Sequence, residues 1–538
     1  MGAGRIVGAA IGLVLLSTSC ALTPDYERPD TETPESWQRT ENTGVSFANL
    51  PWFDIYEDEA LARLIRIALE ENQDLGLALA RVRESRYLVT FTRAEQFPFL
   101  DIFGGAGRGR ESREIFPGAD TANNFSVGAT LSFEVDLWRR FDRATEAARA
   151  DLLSSEFAYR NITISLVAEV ASSYLLLRDL DSRLDISRRT AEGRRDRLEI
   201  VRARFEKGIE PEIDVNQAEV QLAIAEASVA QFEREVAQAE HALRVLLGRY
   251  PGSIERGPPN DMYLFPVNVP AGLPSELLER RPDVVEAEQR LVAETARIGV
   301  AQALRFPSLS LTGQVAAVAE DLTDLNSTDA GEWSVMAGIF QPIFNSGRLK
   351  AQKEAQVERA RQANFFYQST LRNAFREIED SLVAIETLRN EQAARARQVE
   401  AAGNAARLSR ARYDGGVVDY LEVLDSERTL FDAELAESAI RREALVAFVT
   451  LYKALGGGWS PEQQARLEGE DETEETTPAD GEDEDEDGME EQAPPDGEDE
   501  AEEETLPDGE DETEKQARLE SARDAEAPQM ENTGSAVD

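Results

Sequence analysis

Few residues of this 538-residue chain have the chemistry for catalysis or for holding a metal. The single histidine, His241, stands among charged neighbours in a stretch of heptad pattern, and the single cysteine, Cys20, rules out an intrachain disulfide. No Cys/His cluster and no phosphate-binding glycine loop accompanies them. Asp483 to Gly488 reads D-x-D-x-D-G, the opening of a calcium loop, but the twelfth position, where a bidentate Glu is required, is Pro494. Asp425 and Arg428 have the i, i+3 spacing of a solvated pair on a helix surface. This inventory argues against an enzyme and against a resident metal or cofactor. The function has to come from surfaces, so the elements that build them come next.

The chain states one design twice. Leu69 to Leu75 (LEENQDL) answers Leu278 to Val284 (LERRPDV) at an offset of 209. Phe97-Pro98 with Leu100 answers Phe306-Pro307 with Leu309 at the same offset. Ala203-Arg204-Phe205 with Gly208 answers Ala411-Arg412-Tyr413 with Gly416 at 208. Three matches in one register predict a tandem duplication of a helix-strand-strand-helix unit, residues 58–249 and 275–457, joined by a Pro/Gly-rich connector at 250–274.

Each copy carries strands, expected at about 99–137 and 307–342. Phe125, Val127, Ala129, Leu131, Phe133, Val135 and Leu137 alternate with Asn124, Ser126, Gly128, Thr130, Ser132, Glu134 and Asp136. That period of two outlasts the roughly 9–11 residues a tilted strand needs to cross a bilayer. Leu309, Leu311, Val315 and Ala317, then Trp333, Val335, Ala337 and Ile339, follow the same rule. A glycine-rich, less regular segment, Phe99 to Arg110, pairs back through Pro117-Gly118, and the partner turn, Glu320 to Gly331, is polar. A soluble two-hairpin sheet is the alternative, although soluble strands average only about 5–6 residues. In lipid, four strands cannot close a conducting barrel, and open edges leave amides unpaired at several kcal/mol each. A membrane sheet of this size must be shared between chains.

The helices are too long for a globule. Residues 138–207 hold no proline and one glycine, Gly193, and span on the order of 100 Å as helix. In 211–249 the residues Val215, Ala218, Leu222, Ala225, Val229, Phe232, Val236, Ala239, Leu243 and Leu246 alternate steps of three and four, the coiled-coil repeat. The second copy offers 346–414 and 419–455, each hairpin turns at glycine, and shorter helices are expected at 58–96 and 275–305.

The N-terminus reads as an export signal (residues 1–19): Arg5, then eleven apolar residues from Ile6 to Leu16, too few for a spanning helix. Cys20 sits as in a bacterial lipoprotein cleavage site, which would make it the lipidated (palmitate-bearing) first residue. Leu16 lies one place further from the cysteine than that pattern wants, and ordinary signal cleavage is the alternative. The net charge of −47 is uneven: Pro461 to Asp538 holds 33 acidic and 4 basic residues. No basic patch suits nucleic acid. Residues 458–538, with Asp480-Gly481-Glu482-Asp483-Glu484 and two further copies of that theme, are expected to be a disordered acidic tail.

With Pro24-Asp25-Tyr26-Glu27-Arg28-Pro29 after the cysteine in the 20–57 extension, Phe133 to Trp138, Arg280-Arg281-Pro282-Asp283, and Gly416 through Leu421-Glu422-Val423-Leu424-Asp425, the chain resembles the outer-membrane efflux proteins of the TolC and OprM type over residues 20 to 457. The resemblance implies a fold of mixed α and membrane β class: a homotrimer whose twelve strands close one β-barrel and whose helices form an α-helical barrel in the periplasm. It implies a periplasmic adaptor, an inner-membrane pump, proton-driven, and outer-membrane lipid as partners. It implies a periplasmic gate at Leu421, Glu422, Asp425 and Arg428, in which Leu421 adds an apolar constriction. The family often has a polar residue where Val418 stands, so a hinge pairing is put in doubt. Lys207-Gly208-Ile209 and Gly415-Gly416-Val417 match the tips that meet the adaptor; the bland reading is that a reversing chain needs glycine. The expected function is passive conduction of drugs or other small molecules. A coiled-coil scaffold lipoprotein, a protein-secretion channel and a metal-efflux channel are the alternatives.

Overall fold

The computed structural model describes residues 25–31, 34, 36–38, 58–260 and 277–457. Cys20 and the acidic tail, 458–538, lie outside the described residues. In chain order come α1 (Glu59–Glu71), α2 (Gln73–Ala94), β1 (Phe99–Gly109), β2 (Ala122–Val135), α3 (Arg140–Glu206) and α4 (Glu212–Leu246). After a single turn, Leu277–Arg280, follow α5 (Pro282–Ala303), β3 (Ser308–Ala319), β4 (Gly331–Phe340), α6 (Arg348–Asp414) and α7 (Tyr420–Ala454). The helix expected over 58–96 is two helices. Asn72 breaks it, because its side chain accepts from Leu75 N at 3.0 Å and so begins a new helix rather than continuing the old one. Pro282 divides 275–305 likewise by opening α5 at its first position. The alternating run also ends sooner than expected, at Val135, so Leu137 lies beyond the strand. The turn between β3 and β4 contains a short 3-10 helix, Leu322–Asn326.

Among the described residues the four strands form one antiparallel sheet in the order β1-β2-β3-β4, with β1 and β4 unpaired on their outer sides. The register sets Leu100 against Leu131 and Ile102 against Ala129. It sets Phe133 against Leu311 and Ala129 against Val315, and Val315 against Trp333 and Leu309 against Ile339. Directly opposed residues share a face, so these side chains make one apolar surface across all four strands. Thr130 opposite Gln314, Ser132 opposite Thr312 and Glu134 opposite Ser310 make the other face polar. β1 joins this pattern with its even-numbered residues. Its Phe103 lies on the polar side, over Gly128, where an added Cβ would come within 2.8 Å of the ring.

The helices stand in four columns. α3 and α6, each 67 residues, run unbroken; the other two columns are spliced from shorter helices. The end of α4 abuts the start of α2: Asn72 donates to Leu246 O at 2.9 Å, Arg249 pairs with Glu71, and a Cβ on Gly248 would strike Glu71 O. The end of α7 abuts α5 in the same way, through Arg281, Ala454 and Gly456. α3 packs against α2, α4, α5 and α7, while α6 packs against α5 and α7. Tyr174, Leu175 and Leu177 of α3, Ile65 of α1 and Leu451 of α7 are fully buried in the main core.

On the heptad seam of α4, Ala218, Ala225, Phe232 and Leu243 are buried and the remaining positions half-buried. Beside it Arg188, Arg195 and Arg202 of α3 pair with Glu233, Glu226 and Glu219 of α4 at 2.7, 2.7 and 3.6 Å, one rung per heptad. The N-terminal extension is strapped across the wall. Asp25 pairs with Arg143 of α3, Arg28 and Tyr26 with Glu288 of α5, and Trp37 with Phe375 of α6 at 5.8 Å.

Candidate channel surface and helical tips

Both hairpin tips close by the same geometry. Gly208 donates to Phe205 O at 2.8 Å and Ile209 to Arg204 O at 3.0 Å; Gly416 donates to Tyr413 O and Val417 to Arg412 O, both at 2.9 Å. Gly208 and Gly416 have φ of 71° and 69° with open space around an added Cβ, so the left-handed backbone alone demands glycine. Lys207 and Gly415 are the C-caps. Ile209 and Val417 are exposed, at 66% and 70%, and present an apolar side chain at each tip.

Sequence reasoning missed what ties the two tips together. The Tyr413 hydroxyl donates to Glu210 Oε1 at 2.8 Å across the repeats. The Arg204 guanidinium lies 5.0 Å from the Tyr413 ring and within 3.6 and 3.7 Å of Glu210 and Asp414. Burial, and then the bond to Glu210, push the Tyr413 hydroxyl up to about 12, so it remains a donor. Leu198, Val201, Ala218, Tyr420, Val423 and Leu424 pack with it, and Val418 lies against this cluster. One signal was available: Tyr413 stands where the first copy has Phe205, which is exposed, whereas Tyr413 is buried.

The four residues expected at the gate lie in the first turns of α7. Leu421 is exposed at 59%. Glu422 pairs with Arg412 of α6 at 2.8 Å, and Asp425 pairs with Arg428 of its own helix at 2.8 Å. Leu421, Asp425 and Arg428, but not Glu422, border a groove of about 420 Å³ between the first turns of α4 and α7, lined also by Ile213, Gln217 and Val220. The lining obeys the repeat: Ile213, Gln217 and Val220 line the groove together with their counterparts Leu421, Asp425 and Arg428, each pair 208 residues apart. Only the second copy is charged there.

No helix among the described residues is long and apolar enough to cross a membrane. The sheet supplies the apolar surface instead. Val127, Leu131, Val315, Trp333, Val335 and Ile339 lie on its apolar face with between 47% and 78% of their surface exposed.

Comparison with known proteins agrees with this architecture. The family model described as outer membrane efflux protein matches residues 64–249 and 273–457. The chain is 34% identical over 450 residues to the cation efflux system protein CusC of Escherichia coli K12, covering 83% of this chain and 98% of CusC. It is 33% identical over 464 residues to the solvent efflux pump outer membrane protein SrpC of Pseudomonas putida, covering 84% and 98%. The solved open state of the MtrE outer membrane channel of Neisseria gonorrhoeae superimposes with a TM-score of 0.74 at 31% identity, covering 82% of this chain and 98% of MtrE. A lipid-compatible sheet with two open edges, four helical columns and matches over both repeats lead to one conclusion: this chain belongs to the outer membrane efflux protein family.

Proposed function

We propose that this chain is one protomer of a trimeric outer-membrane efflux channel that passively conducts small organic molecules handed to it by a periplasmic adaptor and a proton-driven inner-membrane pump. One observation carries the reading: a four-stranded sheet with a continuous apolar face and two unpaired edges, fused to helices of 67 residues. Such a sheet satisfies its amides in hydrocarbon only when neighbouring copies join β1 to β4. Three copies give twelve strands and twelve helical columns. The purified protein in a planar bilayer tests this: channels support it, and a scaffold lipoprotein yields none.

The names of the relatives span cations and organic solvents at nearly equal identity, so identity does not choose the cargo. A chain with one Cys, one His and five Met is poor in the soft ligands that select transition metals, which favours organic cargo. Complementation of a channel-deleted strain, challenged separately with organic toxicants and with copper salts, tests the choice; protection against copper alone would reverse it.

Lys207-Gly208-Ile209 and Gly415-Gly416-Val417 are the adaptor contacts, and Leu421, Glu422, Asp425 and Arg428 the periplasmic gate, because both sets sit at the end of the columns remote from the sheet. Cys20 carries a lipid. Asp25 is held by Arg143, in the first turn of α3 just beyond β2, and five residues reach at most about 18 Å, within range of the leaflet. Labelled palmitate recovered on the wild type and on Cys20→Ala alike would refute this.

A further inference from the structure

The polar face of the sheet is not uniform. From Asn124 to Glu134 on β2 and from Ser308 to Gln314 on β3 it holds only polar side chains and Gly128. The two edge strands differ. β1 places Phe99, Asp101 and Phe103 on that face, and β4 places Met336, Gly338 and Phe340 there. Phe99, Met336 and Phe340 are exposed at 48%, 63% and 69%. Large apolar side chains therefore interrupt the polar face at the two edges where a second copy must join. Phe99 begins β1 and Phe340 ends β4, so both lie at the end of the sheet that meets the helical columns.

Two constraints fix how those edges meet. β4 has 10 residues and β1 has 11, so only two registers pair every residue of β4. One of them sets apolar residues against polar ones, because a slip of one residue exchanges the faces. The other sets Leu100, Ile102 and Ala106 of one copy against Ile339, Ala337 and Trp333 of the next, which continues the apolar face. On the polar face the same register sets Phe99 against Phe340, Asp101 against Gly338, and Phe103 against Met336. Same-face residues lie about 7 Å apart along a strand and neighbouring strands about 4.8 Å apart, so these six residues form one patch. Asp101 stands at its centre. It is exposed, makes no ion pair with any described residue, and would face a glycine, so its carboxylate stays open. Glu134, in the row that reaches Gly338 through Ser310, is by contrast neutralised by Arg140 at 2.9 Å.

We propose that each junction between copies forms a binding site for an amphiphilic organic cation on the inner wall of the barrel, built from Phe99, Asp101 and Phe103 of one copy and Met336, Gly338 and Phe340 of the next. The carboxylate and the ring faces attract the positive charge, while the rings and the thioether cover the apolar part of the ligand. A small inorganic cation gains nothing from the apolar walls, and an organic anion meets Asp101 as a like charge. Neither half of the site binds alone: one protomer holds the carboxylate, and its neighbour holds the facing wall and the glycine that leaves room for the ligand. The site rests on the channel reading and deepens it by naming the charge class of the cargo.

The experiment separates the two. Full-length trimer in planar bilayers is titrated with benzyltrimethylammonium, tetramethylammonium and benzenesulfonate, and block of the current is measured. Absence of any channel would overturn the channel reading itself. With channels present, benzyltrimethylammonium is expected to block at the lowest concentration. Phe340→Ser is expected to weaken that block about twofold to tenfold and to leave tetramethylammonium unchanged. Asp101→Asn, a near-isosteric change that spares assembly, is expected to weaken it about fivefold. Heat-resistant trimers of both variants are verified on gels first. Asp101→Cys combined with Gly338→Cys is expected to join copies covalently under a short thiol cross-linker, whereas each single variant, the control for Cys20, stays separable. Equal block by the two ammonium ions, wild-type block in both assembled variants, or assembled double-cysteine trimers that remain separable would overturn the site.

Discussion

Arg281 donates to the carbonyl of Ala454 at 3.1 Å, and through this contact the last turn of α7 is seated on the first turn of α5. The same guanidinium reaches Ala374 O at 3.3 Å and the carboxylates of Asp283 and Glu377. The guanidinium is buried, while the side chains of Asp283 and Glu377 keep 24% and 41% of their surface exposed. Arg281→Met is expected to lower the stability of the protomer by about 3–5 kcal/mol, because two carboxylates and two carbonyls lose their donor together. Asn72→Ala, at the equivalent joint of the first copy, loses neutral hydrogen bonds and is expected to cost about 1–3 kcal/mol. Thermal melts of detergent-solubilised trimers would show both losses and their order.

The two faces of the sheet predict opposite tolerances. Leu131→Arg places a charge on the apolar face and is expected to cost about 2–4 kcal/mol per protomer near the bilayer midplane. Thr130→Arg, one residue away on the polar face, is expected to leave the yield of outer-membrane trimers close to wild type. Equal yields for the two variants would mean that the faces are assigned wrongly.

Within a protomer α2 and α6 are covered on one side only. Leu77, Leu88 and Phe91 of α2 and Phe365 of α6 are exposed, and these helices flank β1 and β4, the strands that must meet between copies. Phe91→Asp or Phe365→Asp is expected to lower the trimer fraction by weakening burial worth about 1.5–3 kcal/mol per ring. Helical content by circular dichroism should remain unchanged, which separates a failure of association from a failure of folding.

The Arg–Glu ladder of the first hairpin is not repeated in full. Arg410 and Glu427 reproduce its rung nearest the tip at 2.6 Å, but the positions equivalent to Arg188 and Arg195 are Ala396 and Gly403. Each exposed rung contributes only about 0.2–1 kcal/mol. Two missing rungs nevertheless predict faster amide hydrogen exchange in the middle of α6 and α7 than in α3 and α4. Equal protection in the two hairpins would contradict this.

Asp425 lines its groove with the neutral Gln217 as its counterpart, so a trimer presents three such carboxylates rather than six. Asp425→Asn is expected to reduce the preference of the channel for cations, read as a shift of reversal potential in a salt gradient. An unchanged reversal potential would remove Asp425 from the conduction path.

What could be read from the sequence was whatever has a period. The two-residue alternation of Phe125 to Val135, the three-four steps from Val215 to Leu246 and the 208-residue echo of Gly208 in Gly416 each follow from a backbone geometry that repeats. Contacts made by a single side chain across the fold have no period. The Tyr413 to Glu210 bond, the strap from Arg28 to Glu288 and the Arg281 joint were invisible for that reason. Asn72 is different: LEENQDL has the composition of continuous helix, and only the bond from Leu75 N to the asparagine side chain shows that a new helix starts there. β1 looked irregular because its glycines hide the alternation, which its pairing with β2 restores.

The bare edges of β1 and β4 also have a genetic consequence. A solitary copy has nowhere to deposit its sheet, so insertion and association must happen in a single event. When intact and association-competent but blocked subunits are expressed together, every ring draws at random from both pools. Working conduits then fall as the cube of the intact fraction, and a faulty allele behaves as a dominant one.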